Sequence, residues 1–180
     1  MRLRKINAGL SLLTSILFLD HAIFLSVWML SRCSIEKSAE NMPRVLAVVA
    51  AAHAALSILL AFLGHKGAEK RRCKAYPKMN ISTNVQRASG ILMILLFGMH
   101  VAGAANHFQP KMLHAILHPL FFALSLAHIA VSSGKAMITL GIGNARAVRV
   151  VDIIMKILCV VTFAAAVIGF YLCLFVGVAR

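Results

Sequence analysis

The chain has 180 residues, a formal net charge of +14 and 61% hydrophobic residues, with a mean hydropathy of +0.87. Soluble domains are roughly half apolar and interrupt their apolar runs with charge every turn or two. Here the apolar runs continue for about 20 residues or more, enough for a helix to cross a hydrocarbon layer about 30 Å thick. A soluble protein is therefore excluded, and so is a transmembrane β-barrel, because no segment alternates between apolar and polar residues.

The apolar runs predict one domain, residues 1–180, folded as an all-α bundle of five transmembrane helices. The spans cover about residues 6–31, 44–64, 86–107, 111–138 and 149–178. The first is too long for a removed signal peptide, contains Asp20 and His21, and has no small-x-small cleavage site before Arg32. The polar residues 80–84 are expected to cap the third helix. Asp152 and Lys156, four residues apart at the start of the fifth span, are expected to pair.

The basic residues predict the orientation of the bundle. With the N-terminus in the cytoplasm, the inner segments hold 14 lysines and arginines and the outer segments hold 5, as the positive-inside rule requires. The C-terminus then lies outside, and the protein belongs to the cell's inner membrane. A nucleic-acid partner is excluded because these residues sit at membrane boundaries without interleaved aromatic residues. An acidic protein partner or anionic lipid suits the inner face.

Four histidines lie well inside the first four spans, one in each: His21, His53, His100 and His128. A lone histidine in a span serves equally well as a hydrogen-bonded packing residue. Four on successive helices favour two haems with two imidazole ligands each. The four cysteines form no C-x-x-C-H, which excludes an ordinary c-type haem and leaves haem b. Small residues around three of these histidines would leave room for a porphyrin, although they also serve close helix packing.

Depth along the helices predicts how these histidines pair. His21 and His100 each lie about 20–24 Å above the inner boundary, at 1.5 Å per residue. His128 lies about 10 Å from that boundary and His53 about 20 Å. If two haems lie at two distinct depths, His53 is deeper than its pairing with His128 requires. The expected pairs are His21 with His100 and His53 with His128, and depth supports the second pair less.

Other histidines have open roles. His114 and His118 are four residues apart near the outer end of the fourth span, and His107 is close to them in sequence. They are candidates for a metal site or for proton release, with interfacial polar residues as the simpler interpretation. His65 belongs to the inner basic loop and is given no role.

The string Val85-Gln86-Arg87-Ala88-Ser89-Gly90, followed by His100-Val101, resembles the third helix of a known family. This family is the di-haem cytochrome b membrane subunits of succinate dehydrogenases and fumarate reductases, the succinate:quinone oxidoreductases. The resemblance extends over the chain, with five spans and a histidine in each of the first four. It implies that His21 and His100 hold an outer haem iron, and that His53 and His128 hold an inner one.

The resemblance implies an anchor that passes electrons between a membrane quinone, ubiquinone or menaquinone, and an iron–sulfur subunit. That subunit and a flavoprotein would dock on the cytoplasmic face, and dimerisation of the complex is left open. The membrane subunit would be the quinone-reactive part of the enzyme and would not act on dicarboxylates by itself. Arg87 is the first candidate for a haem propionate, with Ser82 and Lys135 as further ones; Arg87 also suits a simple boundary anchor.

Glu36 and Glu40, in the outer loop after the first span, are candidates for taking protons from a quinol, or are ordinary loop charges. Some di-haem fumarate reductases have a glutamate two residues before the fourth helix's histidine, where this chain has Leu126. Because leucine cannot carry a proton, the proton path that this glutamate provides along the fourth helix is not expected here. The alternatives are a haem-free structural anchor and a different di-haem membrane cytochrome b. The direction of catalysis and the identity of the dicarboxylate are not encoded in this chain.

Overall fold

A computed structural model describes residues 2–31, 41–68, 77–106 and 111–176, and these residues form five α-helices and no strands. The helices are α1 (Arg2–Ser31), α2 (Asn41–Ala68), α3 (Pro77–Asn106), α4 (Lys111–Leu140) and α5 (Ala145–Val176). The all-helical prediction is confirmed. The expected cap at residues 80–84 is wrong, because α3 begins at Pro77 and includes them. Proline suits the first turn of a helix, where its missing N–H costs nothing.

Four of the helices, α1, α2, α4 and α5, are long and apolar enough to cross a membrane. Such helices are expected only where apolar side chains face lipid rather than water. The fifth span predicted on α3 and the orientation of the termini stay predictions.

The helices pack around a contact between α1 and α4. α5 packs on both of these helices, α2 packs on α1, and α3 packs on α4. The apolar core lies where α1, α4 and α5 meet and is centred on Phe18, Phe121, Phe122 and Cys159. Phe18 contacts Phe122 with ring centroids 5.3 Å apart. Within the described residues, α2 therefore packs mainly on α1, and α3 packs mainly on α4.

The interior of this bundle is rich in hydroxyl groups and its exterior is apolar, the reverse of a water-soluble protein. Buried hydroxyl side chains are Ser11, Ser15, Ser26, Ser89, Ser125, Ser132, Ser133 and Thr162, while Val48, Phe62 and Val160 are about 70% exposed. Several of these serines donate to the carbonyl four residues earlier in their own helix. Small hydroxyl residues let helix backbones approach closely inside a membrane, which fits the four apolar helices.

A tight turn joins α4 to α5 through Gly141 and Gly143, whose φ angles are +75° and +78°. Glycine adopts this left-handed conformation without the steric cost that other residues meet. After the turn, Asp152 of α5 lies against Gly134 of α4, where an added Cβ would be 3.2 Å from the carboxylate. Asp152 also pairs with Lys156, which confirms that prediction.

Candidate functional site

His53 of α2 is hydrogen-bonded to Asn7 of α1. The His53 Nδ1 atom lies 3.0 Å from Asn7 Oδ1, and the Ser57 hydroxyl donates to the same oxygen at 3.1 Å. A carboxamide oxygen only accepts hydrogen bonds, so the proton in the first contact belongs to His53 Nδ1. A neutral imidazole with a proton on Nδ1 presents a lone pair on Nε2.

His128 of α4 is held in the same way by Ser89 of α3. The Ser89 hydroxyl lies 2.9 Å from His128 Nδ1 and 3.1 Å from the carbonyl oxygen of Gln86. A hydroxyl has one proton, and the carbonyl can only accept it, so Ser89 donates to Gln86 and accepts from His128. The lone pair of His128 is therefore also on Nε2.

His53 and His128, which we call the hydrogen-bonded pair, thus share one tautomer. They come from α2 and α4, which both pack on α1. They are close enough for a charge on one ring to act on the other. Both side chains are half-buried. Two imidazoles from different helices that each present an Nε2 lone pair offer the donor type that a bis-imidazole metal site uses.

The string that carries the family resemblance lies against this pair. Gln86 accepts a hydrogen bond through Oε1 from Lys135 Nζ at 3.1 Å. A Cβ added to Gly90 would lie 3.4 Å from Cε1 of His128, an ordinary van der Waals distance, so α3 passes close to the ring at this residue. Lys135, a propionate candidate, is thus placed beside the pair. Arg87, the first such candidate, is exposed at the same end of α3.

At the other end of the bundle, aromatic rings surround His100 of α3 and His118 of α4, which we call the stacked pair. Their ring centroids are 4.9 Å apart with a 43° angle between the planes. His100 also stacks on Phe121 at 5.3 Å and 22°. His118 stacks on Phe170 of α5 at 4.9 Å and 13°.

Some of the predicted site residues are not part of either histidine pair in the described structure. His21 is half-buried in α1 next to Asp20, whose charge acts on it, and its pairing with His100 stays a prediction. Glu36, Glu40 and His107 lie outside the described residues, as do the side chains of Ser82, His65 and His114.

The residues around the hydrogen-bonded pair fit a b-type haem. Nε2 donors are available from two helices, a cationic Lys135 is close by, and Gly90 removes bulk beside one ring. In the described part of the chain, no three His, Cys, Asp or Glu side chains come together as a metal site. A haem with two imidazole ligands needs only two such side chains from the protein.

Sequence reasoning missed Asn7, Ser57 and Ser89 as partners of the histidines. Asn7 carried a signal, since an amide inside an apolar span is costly unless it is hydrogen-bonded. Ser57 lies one helical turn after His53, and Ser89 stood within the recognised string. His118 was a candidate for a metal site or for proton release, but its contacts with His100 of α3 and Phe170 of α5 depend on tertiary packing and were not predicted.

No family model, no curated protein and no solved structure matches this chain.

Proposed function

We propose that this chain is the membrane anchor and electron-transfer subunit of a succinate:quinone oxidoreductase-like complex. It would pass electrons between a membrane quinone and an iron–sulfur subunit through two b haems. The observation that carries the proposal is the hydrogen-bonded pair, in which two histidines from different helices are fixed as Nε2 donors. An imidazole that binds iron through Nε2 carries its proton on Nδ1, and a hydrogen bond from Nδ1 fixes that tautomer and the orientation of the ring.

The roles of the chain's own residues follow from these contacts. His53 and His128 would hold the inner haem iron through Nε2, while Asn7 and Ser89 keep both rings oriented. Lys135 and Arg87 would neutralise propionates at the same end of the bundle. His21 and His100 would hold the outer haem. Bound haem supplies one-electron chemistry between the two-electron carriers at either end of the path.

The remaining parts of the proposal rest on the sequence. The spans on α1, α2, α4 and α5, with a fifth on α3, would place the chain in the inner membrane with its N-terminus in the cytoplasm. The exposed Arg2, Arg4, Arg146 and Arg149 would then belong to a basic cytoplasmic face. A flavoprotein and an iron–sulfur protein with an acidic contact surface would dock there.

The decisive experiment is a reduced-minus-oxidised spectrum of the purified complex, with haem and protein quantified. We expect low-spin b-haem bands at two haems per chain. His128→Ala is expected to remove one haem and leave the other titratable. A chain without b-haem bands after expression with adequate haem supply would overturn the proposal.

Purification of the native complex separates the proposal from another di-haem cytochrome b. A flavin-containing partner and an iron–sulfur partner are expected to copurify. Two haems without either partner would favour the other cytochrome, and intact folded chain without haem would favour the structural anchor.

A further inference from the structure

Asp20 is an acidic side chain on the outward face of α1. It is exposed, and it lies about 12 Å along the helix before Trp28, where the apolar span Arg2–Trp28 ends. Of the two carboxylates in the described residues, Asp152 pairs with Lys156, whereas Asp20 acts electrostatically on His21 and makes no hydrogen bond or ion pair there. A carboxyl group at this depth is costly unless another polar group satisfies it.

Asp20 belongs to a stripe of exposed side chains with heptad spacing, which we call the outer seam. Its residues follow one another in alternating steps of three and four: Leu13, Ile16, Asp20, Ile23, Val27 and Leu30. The side chains that α1 buries against the bundle, among them Ser15, Phe18 and Ala22, lie on the opposite face of the helix. Alternating steps of three and four keep one helix face against a neighbouring helix along a left-handed pair.

The composition of the outer seam fits a second copy of the same helix. In a two-fold symmetric pair, each residue near the axis lies opposite its own copy. The apolar side chains can pack on their copies, and the carboxyl group of Asp20 is self-complementary, because its acid form donates through O–H and accepts through the other oxygen. A lysine or arginine at this position could not pair with itself, since it has no acceptor. A single polar residue in such a seam also fixes the register of the two helices.

We propose that two copies of this chain associate through their α1 helices along the outer seam, with Asp20 of one copy hydrogen-bonded to Asp20 of the other. The contact satisfies the polar group that each copy alone turns towards lipid. Because the dimer requires only a membrane-crossing α1 and no haem, it stands independently of the proposed function.

Disulfide cross-linking of the full chain in membranes tests the geometry. Ile16→Cys places a thiol on the outer seam, and Ile157→Cys places one on the exposed side of α5; the replaced side chains are matched, at 62% and 60% exposed. With copper phenanthroline as oxidant, and the unsubstituted chain as the background for the native cysteines, we expect at least about fivefold more covalent dimer for Ile16→Cys than for Ile157→Cys. Equal yields would overturn the proposal, as would a different protein cross-linked to the thiol of Ile16→Cys.

Dimerisation of the labelled full chain in liposomes, measured by energy transfer over a range of protein-to-lipid ratios, tests the role of Asp20. Asp20→Leu has no hydrogen-bonding side chain and is expected to dimerise about tenfold more weakly. Asp20→Asn keeps a donor and an acceptor and is expected to remain within about threefold of the unsubstituted chain. Unchanged dimerisation in Asp20→Leu would overturn the paired carboxyl groups, and so would an equal loss in Asp20→Asn, which would indicate that Asp20 pairs with a cation instead.

Helix content is recorded by circular dichroism for every variant, since Asp20 is next to His21 in α1. If Asp20→Leu does not fold, Asp20→Asn and the cross-linking of Ile16→Cys decide the question. An unsubstituted chain that stays monomeric at every protein-to-lipid ratio would overturn the dimer outright.

Discussion

The two histidine pairs of the bundle orient their imidazoles by different physical means. His53 and His128 are held by directional hydrogen bonds of 3.0 and 2.9 Å to Asn7 and Ser89. His100 and His118 lie against each other and against phenylalanine rings. A hydrogen bond fixes both the ring plane and the nitrogen that carries the proton, whereas stacking fixes only the plane. The hydrogen bonds to Asn7 and Ser89 therefore fix which nitrogen carries the proton in His53 and in His128.

This difference predicts that the largest loss of haem binding follows from replacing the residues that are hydrogen-bonded to His53 and His128. Asn7→Leu leaves the His53 Nδ1–H and the Ser57 hydroxyl without their shared acceptor, so the ring loses its fixed tautomer. We expect about 10–100-fold weaker binding of the inner haem, measured by haem titration of the purified chain.

The matched control for Asn7→Leu is Thr14→Val in the same helix. The Thr14 hydroxyl donates to the Leu10 carbonyl at 2.8 Å, within α1, so its loss is expected to leave both haems bound. An inner haem that titrates identically in Asn7→Leu and in the unsubstituted chain would contradict the role assigned to Asn7.

A smaller effect is expected at the stacked pair. Phe121→Leu removes the ring against which His100 stacks, and aromatic pairs contribute about 0.5–1.5 kcal/mol beyond their buried area. Outer-haem affinity should fall by no more than about tenfold, with the inner haem in the same molecule as the reference. Equal losses of both haems would mean that Phe121 supports the fold as a whole rather than His100.

The smallest effect is expected at Gly90, where α3 meets the His128 ring. A Cβ there would make an ordinary contact of 3.4 Å with Cε1, so Gly90→Ala should change inner-haem affinity by no more than about twofold. Gly98→Ala, whose Cβ would meet nothing within 4 Å, controls for the gain in helix propensity. A large loss of the inner haem in Gly90→Ala alone would mean that the ring has less room than its contacts indicate.

The helices were predictable because apolar runs of this length leave the backbone no other way to satisfy its hydrogen bonds in a membrane. The start of α3 was not predictable from the same signal. Residues 77–85 mix polar and apolar side chains, and the start of the apolar run near residue 86 carries no information about whether the helix begins before it.

The histidines of the site could be selected from the sequence, but their partners could not. A single imidazole in a span attracts attention because it is costly there. Whether Asn7 lies beside His53 depends on the register of α1 against α2, which no local pattern encodes. The contact between Ser89 and His128 likewise depends on the register of α3 against α4. The sequence favoured Arg87, two residues earlier, but Ser89 is the residue hydrogen-bonded to His128.

The distribution of polar contacts also bears on how such a chain is assembled. In α1 and α4, serine hydroxyls donate to the backbone carbonyl four residues earlier in the same helix. These hydrogen bonds form without a neighbouring helix. The hydrogen bonds of the hydrogen-bonded pair join consecutive helices, Asn7 with His53 and Ser57, and Ser89 with His128. The α1–α2 hairpin and the α3–α4 hairpin can therefore each form these hydrogen bonds as soon as the second helix of the hairpin has been inserted into the membrane. His53 and His128 would then be oriented before the two hairpins pack against each other.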